Sequence, residues 1–95
     1  TEAMAAILSE RARLAGAIAQ LRCRVVPTQT NFLFFGLPEE LGVDAASISQ
    51  DLLQRGVIVR PAGGWGYPRH LRVTVGTPEE NEFFLEQFKE ALSNG

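Results

Sequence analysis

Two arginines in strand-like segments are the residues of this chain with the clearest capacity for chemistry. Arg72 lies in segment 71–75, where apolar and polar side chains alternate, and Arg60 ends the β-branched run 57–60. Alternate side chains of a strand face opposite sides, so Arg72 is predicted to point away from the core. A guanidinium is a planar two-pronged donor that matches a carboxylate or a phosphate. Arg72 is therefore either an anion-binding residue or an edge-strand arginine in water, and periodicity alone does not choose between them.

Four other polar or reactive residues are explained more simply by structure than by chemistry. Asn31 opens the apolar run 31–36 and is expected to have a structural role first, although it could support the arginines from the same sheet face. His70, the only histidine, is more typical of a surface or packing residue than of a catalyst. Lys89, the only lysine, is predicted to lie on the outer side of the last helix. The single cysteine, Cys23, excludes an internal disulfide and a cysteine-based zinc site, and no metal site is predicted.

The loop over residues 61–68 combines three glycines, two prolines and two aromatic residues. Flexible backbone beside rigid aromatic surface is typical of a ligand site, but it is equally typical of a connection between two strands. The glycines do not form a phosphate-binding fingerprint, because no helix follows them directly.

Composition limits the classes of partner. With 95 residues, 45% of them hydrophobic and 21% charged, the chain is expected to form one small soluble domain. A net charge of −2 without a basic run gives no case for nucleic acid. No apolar run approaches the roughly 20 residues of a membrane span, and residues 1–21 mix charged with apolar positions, unlike a signal peptide. A cytoplasmic location is the expectation.

Periodicity predicts an α+β two-layer sandwich. The expected sheet has three to four strands in mixed or antiparallel order, with helices on one face and a long connector helix before it. The predicted elements are a helix over 1–21, strands over 22–27 and 31–36, a helix over 44–55, strands over 57–60 and 71–75, and a helix over 78–92. The second and third strands are expected to flank a right-handed crossover, with the last strand between or beside them and antiparallel to both.

Helix boundaries carry clear local signals. Asp44 is placed to cap the second helix, and Gly56 to stop it. Thr77 is predicted to be the N-cap of the last helix, with Pro78 at the first helical position and Glu80 closing a capping box.

Three blocks of sequence, at residues 27–32, 53–61 and 71–81, occur in an order that carries a family resemblance. Together they resemble the C-terminal small domain of the histidinol-phosphate aminotransferase family, within the fold-type I pyridoxal-phosphate enzymes. The similarity covers roughly residues 20–92. It implies that residues 1–21 are a fragment of an interdomain connector helix and that residues 22–95 are the small domain.

The resemblance also implies an activity and its residues. The family transfers an amino group between histidinol phosphate and 2-oxoglutarate in histidine biosynthesis. Arg72 matches the arginine that binds the substrate carboxylate, and Arg60 matches the one that helps to hold the substrate phosphate. A large domain of the parent homodimer supplies the lysine that binds pyridoxal 5'-phosphate. This chain alone is therefore expected to contain no catalytic residue, to bind no cofactor and to be inactive.

Two alternatives stay open from the sequence. One is a related aminotransferase or decarboxylase that acts on another amino-acid substrate. The other is a stand-alone α+β module that binds small anions.

Overall fold

Three α-helices and a four-stranded sheet make up the architecture, which confirms the predicted α+β two-layer sandwich. The computed structural model describes residues 2–26 and 32–94. The elements in chain order are α1 (Glu2–Gln20), β1 (Arg24–Val26), β2 (Phe32–Gly36), α2 (Ala45–Gln54), β3 (Arg60–Pro61), β4 (His70–Thr74) and α3 (Pro78–Asn94). Two short 3-10 turns, Glu39–Leu41 and Gly63–Trp65, lie in the connections.

The strands follow the order β1-β2-β4-β3, and every neighbouring pair is antiparallel. The last strand therefore lies between the two strands that α2 connects, which is one of the two placements that the pattern allowed. Because β4 runs antiparallel to both β2 and β3, those two strands run parallel to each other. Phe34 of β2 and Arg60 of β3 lie on either side of Arg72, each as its direct partner.

The predicted strand over 57–60 is wrong in its bounds. Only Arg60 and Pro61 pair with β4, whereas Val57 and Val59 are buried without entering the ladder. A cavity of about 530 Å³ has Val57 and Ile58 on one wall and residues of the end of β4 on another. The cavity separates residues 57–59 from the end of β4, so residues 57–59 do not pair with that strand. Their side chains nevertheless alternate between buried and exposed, as in a strand.

The core lies between the sheet and the three helices. Leu33 and Phe35 of β2 and Leu71 and Val73 of β4 face the helical layer. The helices contribute Leu14 and Ile18, Ile48 and Leu52, and Phe84 and Phe88. The ring of Phe35 packs edge-on against Phe84 and Phe88, with centroids 6.4 and 5.4 Å away.

Helix α1 is buried only over its second half. Leu14 and Ile18 are fully buried in the common core, whereas Ile7 and Leu8 are 47% and 50% exposed. The amphipathic stripe of the helix therefore continues beyond the surface that the rest of the described chain covers.

Capping fixes the helix starts as predicted. The backbone N–H of Thr77 donates to Glu80 Oε1 at 2.9 Å, and the N–H of Glu80 donates to Thr77 Oγ1 at 3.2 Å, which confirms the capping box. Asp44 caps α2 by accepting from the N–H of Ser47 at 2.8 Å. Gly56 follows that helix with a φ of 88°, in the left-handed region that favours glycine.

Candidate functional site

The two predicted arginines come together on the sheet face opposite the helices. Arg60 and Arg72 are direct partners in the antiparallel ladder, and direct partners project from the same face of a sheet. That face is the open one, because Leu71 and Val73, which flank Arg72 in β4, are buried under the helices. Like charges directly opposite each other repel, so an anion bound between the two guanidinium groups would stabilise this arrangement.

Arg72 has a defined environment on this face. Arg72 is half-buried, and its guanidinium carbon lies 4.8 Å from the centroid of the Phe32 ring. Phe32 is the diagonal neighbour of Arg72 across β2 and β4. A guanidinium over an aromatic face is weakly attracted by the ring and loses rotational freedom. Arg60 is exposed on the edge strand, so the pair combines one half-buried cation that contacts an aromatic ring with one exposed cation.

An aromatic cluster that the sequence did not predict adjoins the arginine pair. Phe34, the partner of Arg72, stacks on His70 with centroids 4.9 Å apart and meets Tyr67 edge-on at 5.6 Å. Tyr67 also meets His70 edge-on at 5.4 Å. The glycine-aromatic loop over residues 61–68 therefore contributes Tyr67 to the same sheet face as the arginine pair.

His70 can take its position because its partner in β2 is a glycine. A Cβ atom at Gly36 would lie 2.9 Å from His70 Nε2, closer than real Cβ contacts allow. Partial burial, followed by the positive charge of Arg24, lowers the pKa of His70 below its ordinary value of 6.5. The expectation of a packing histidine agrees with these contacts. The sequence signal for this contact was Gly36 at the end of an apolar strand, because a glycine leaves room for a ring on the neighbouring strand.

The other residues considered from the sequence lie elsewhere. Asn31 falls outside the described residues. Lys89 is exposed on α3, in the helical layer, and so lies on the other side of the sheet from the arginine pair. Cys23 is buried, and burial raises the pKa of its thiol to about 12. Within the described ranges no group of three or more His, Cys, Asp or Glu side chains could hold a metal ion, and no helix there has the length and apolar character to cross a membrane.

Comparison with known proteins assigns the family. The family model for aminotransferase class I and II matches residues 1–88. The chain belongs to this family. The histidinol-phosphate aminotransferase of Symbiobacterium thermophilum is 47% identical over 85 residues, which make up 90% of this chain and 22% of that protein. The enzyme of the same name from Oleidesulfovibrio alaskensis is 44% identical over 82 residues, or 86% of this chain and 21% of that protein.

A solved structure supports the same fold. The histidinol-phosphate aminotransferase from Clostridium acetobutylicum superimposes with a TM-score of 0.88 over 99% of this chain and 28% of that one, at 19% identity. At this identity the likeness is one of fold. The chain spans about a fifth of the length of the curated aminotransferases it matches.

Proposed function

We propose that this chain is the substrate-binding small domain of a pyridoxal-phosphate-dependent aminotransferase that exchanges amino groups between histidinol phosphate and 2-oxoglutarate. The observation that carries the proposal is the direct pairing of Arg60 with Arg72 on the open sheet face. The sequence similarity to histidinol-phosphate aminotransferases over 86% to 90% of the chain supports this substrate choice over others. Histidine biosynthesis in the cytoplasm is the cellular role that follows.

The two arginines suit the two substrates of this reaction. 2-Oxoglutarate presents a carboxylate next to its reacting carbon, where histidinol phosphate instead presents a phosphate ester. A single oriented guanidinium can grip a carboxylate with two hydrogen bonds, and we assign this role to Arg72. The phosphate carries more charge and more acceptor oxygens, and we assign to Arg60 the additional contact that this group requires. Asn31, which precedes Phe32 in the sequence, is assigned a supporting role.

The cofactor does not fit the residues of this chain alone. Pyridoxal phosphate is held in such enzymes through a lysine, and Lys89 lies in the helical layer, on the opposite side of the sheet from the arginine pair. We therefore assign the cofactor to a separate large domain. The chain supplies binding and orientation of the anionic substrate groups. Mixed with pyridoxal phosphate, it is expected to give no absorbance band of a lysine adduct.

Two surfaces of the chain are available for that large domain. One is the arginine face itself, and the other is the first half of α1, where Ile7 and Leu8 are exposed. We propose that residues 1–21 form the connector helix between the domains and that residues 22–95 form the small domain. The arginine face would then form one wall of the substrate pocket, and the large domain of the parent homodimer would form the other.

Separate half-reactions of the proposed parent enzyme test the assignment. Replacing Arg72 with Gln is expected to lower kcat/KM for both glutamate and histidinol phosphate by about a hundredfold or more, because both anions lose a charge-assisted contact. Replacing Arg60 with Gln is expected to affect histidinol phosphate at least about tenfold more than glutamate. Arg55→Gln is the matched control, because Arg55 pairs with Asp51 and Glu90 in the helical layer.

The same measurements separate the alternatives. Equal losses for both substrates in Arg60→Gln would favour a related enzyme with a substrate that lacks a phosphate. Unchanged kcat/KM in Arg72→Gln would contradict the aminotransferase site and favour a module that binds small anions by itself.

A further inference from the structure

We propose that the end of the sheet where β1 and β4 begin contains a second anion site, which binds a phosphate group separately from the Arg60–Arg72 pair. The site is a cavity of about 240 Å³ between the end of α1, the start of both strands and the turn after β2. Three arginines and the only histidine line it: Arg22, Arg24, Arg69 and His70. They come from two separate segments of the chain, 22–24 and 69–70, and none of the three arginines has a role in the proposal above.

The register of the sheet brings two of these residues together. Gly36 pairs with Arg24 on one side and with His70 on the other, so the three positions share the open face. Because Gly36 has no side chain, the imidazole of His70 lies over its backbone, towards Arg24. Partial burial and, after it, the positive charge of Arg24 lower the pKa of His70. A bound anion would stabilise both Arg24 and a protonated His70.

Arg69 is oriented by a contact that uses only part of its donor capacity. Its Nη2 donates to the carbonyl oxygen of Pro38 at 2.6 Å, and the residue is half-buried. A guanidinium has five N–H donors in a fixed planar arrangement, so one anchored donor sets the direction of the others. The fixed orientation lowers the entropic cost of binding an anion in the cavity.

Two carboxylates also line the cavity, and they limit its positive charge without neutralising it. Glu40 pairs with Arg22 at 3.5 Å, and both side chains are well exposed, so this pair is weak and easily rearranged. Glu39 is the second carboxylate. Three guanidinium groups thus outnumber two carboxylates, and Arg24 and Arg69 remain as the cations on which a phosphate would be held.

The size of the cavity fits a small ligand. At about 240 Å³ it exceeds by several-fold the roughly 30 Å³ that one water molecule occupies in the liquid. A phosphate group with a few bridging waters can enter, and the organic part of a phosphate ester would extend into solvent. The site lies one pleat along β4 from Arg72, because His70 and Arg72 are successive residues of the open face.

The test uses the single histidine of the 95-residue chain as the reporter. The pKa of His70 is measured by NMR while inorganic phosphate is added, with sodium chloride at equal ionic strength as the comparison. A saturable rise in the pKa of His70 beyond that in chloride is expected, because an anion beside the ring favours its charged form. Glycerol phosphate is expected to act in the same way if the phosphate group is what the cavity binds.

Variants separate this site from the arginine pair. Arg24→Gln is expected to raise the pKa of His70 without phosphate and to weaken phosphate binding about tenfold or more, whereas Arg24→Lys retains most of the binding. Arg60→Gln removes one cation of the other anion site, and the phosphate-dependent rise in the pKa of His70 is expected to persist in it. Arg55→Gln, which disrupts ion pairs with Asp51 and Glu90 in the helical layer, is the matched control. The proposal is overturned if phosphate acts no more strongly than chloride, if Arg24→Gln leaves the affinity intact, or if Arg60→Gln abolishes the effect. Loss of the effect in Arg60→Gln would mean that phosphate binds at the Arg60–Arg72 pair instead. The half-reactions test the aminotransferase proposal independently of the His70 titration.

Discussion

Replacement of Asn81 with Ala is predicted to cost the chain more stability than any exposed substitution on α3. Asn81 is 2% exposed, and it is the one buried polar residue found within the described ranges. Its Oδ1 accepts from the N–H of Gly76 at 2.9 Å, and its Nδ2 donates to the carbonyl oxygen of Gly76 at 3.1 Å. A second contact of Nδ2, to Glu10 Oε1 at 2.9 Å, connects this turn to α1.

The magnitude follows from these contacts. A neutral hydrogen bond contributes about 1 kcal/mol, so loss of the two bonds to Gly76 alone costs about 2 kcal/mol. The lost bond to the Glu10 carboxylate and the unpaired backbone groups of Gly76 add to this cost. For a domain of this size, about 2 kcal/mol corresponds to a fall in Tm of about 8–16 °C. Urea unfolding followed by circular dichroism measures the free energy of unfolding. Glu86→Gln is the exposed control on the same helix, with an expected change within about 0.5 kcal/mol.

Asn81→Asp makes the test sharper. It removes the donor to Glu10 and brings a second carboxylate against the first, so at neutral pH it is expected to be less stable than Asn81→Ala. Burial and the neighbouring carboxylate raise the pKa of such an aspartate, so its destabilisation should diminish as the pH falls and the group takes up a proton. A loss below about 1 kcal/mol for Asn81→Ala, or equal stability of the two variants at pH 7, would refute this explanation of the turn.

Three further predictions concern the core, the thiol and the capping box. Phe35→Ala is expected to cost about 3–5 kcal/mol because the ring is fully buried against two other phenylalanines, whereas Phe83→Ala, at a position 45% exposed, should cost clearly less by the same urea assay. With a thiol pKa of about 12, Cys23 should react with iodoacetamide at pH 8 at a rate about a hundredfold or more below that in denaturant, and equal rates would contradict its burial. The hydrogen bonds with Thr77 lower the pKa of Glu80 below its ordinary 4.5, so the carboxylate's stabilisation is complete above that pH and is lost as the pH falls through the lowered value. The Tm difference between the unmodified chain and Glu80→Gln should therefore shrink below pH 4.5, and a constant difference would contradict the capping role.

Local features were the ones that the sequence predicted well. The capping box depends only on residues 77–80, and the burial of Leu71 and Val73 depends on alternation within one strand. The bounds of β3 were not predictable in this way. Val57 and Val59 alternate with exposed Ile58 as strand residues do, but whether they join the ladder depends on where β4 separates from them.

For the candidate site, the sequence predicted which sheet face Arg72 occupies but not which residues lie beside it. Alternation placed Arg72 on the open face, whereas its direct pairing with Arg60 depends on a register between segments separated by a loop. The aromatic cluster depends on the fit of His70 over Gly36, which is a steric match between two strands. Such matches are set by the assembled sheet, so a single sequence without its register gives no direct signal for them.

The most direct measurement of the central claim is a structure of the proposed parent aminotransferase with histidinol phosphate bound. The account predicts guanidinium nitrogens of both Arg60 and Arg72 at about 2.7–2.9 Å from phosphate oxygens, on the sheet face away from the helices. A phosphate bound by other groups, with neither arginine in contact, would contradict the account.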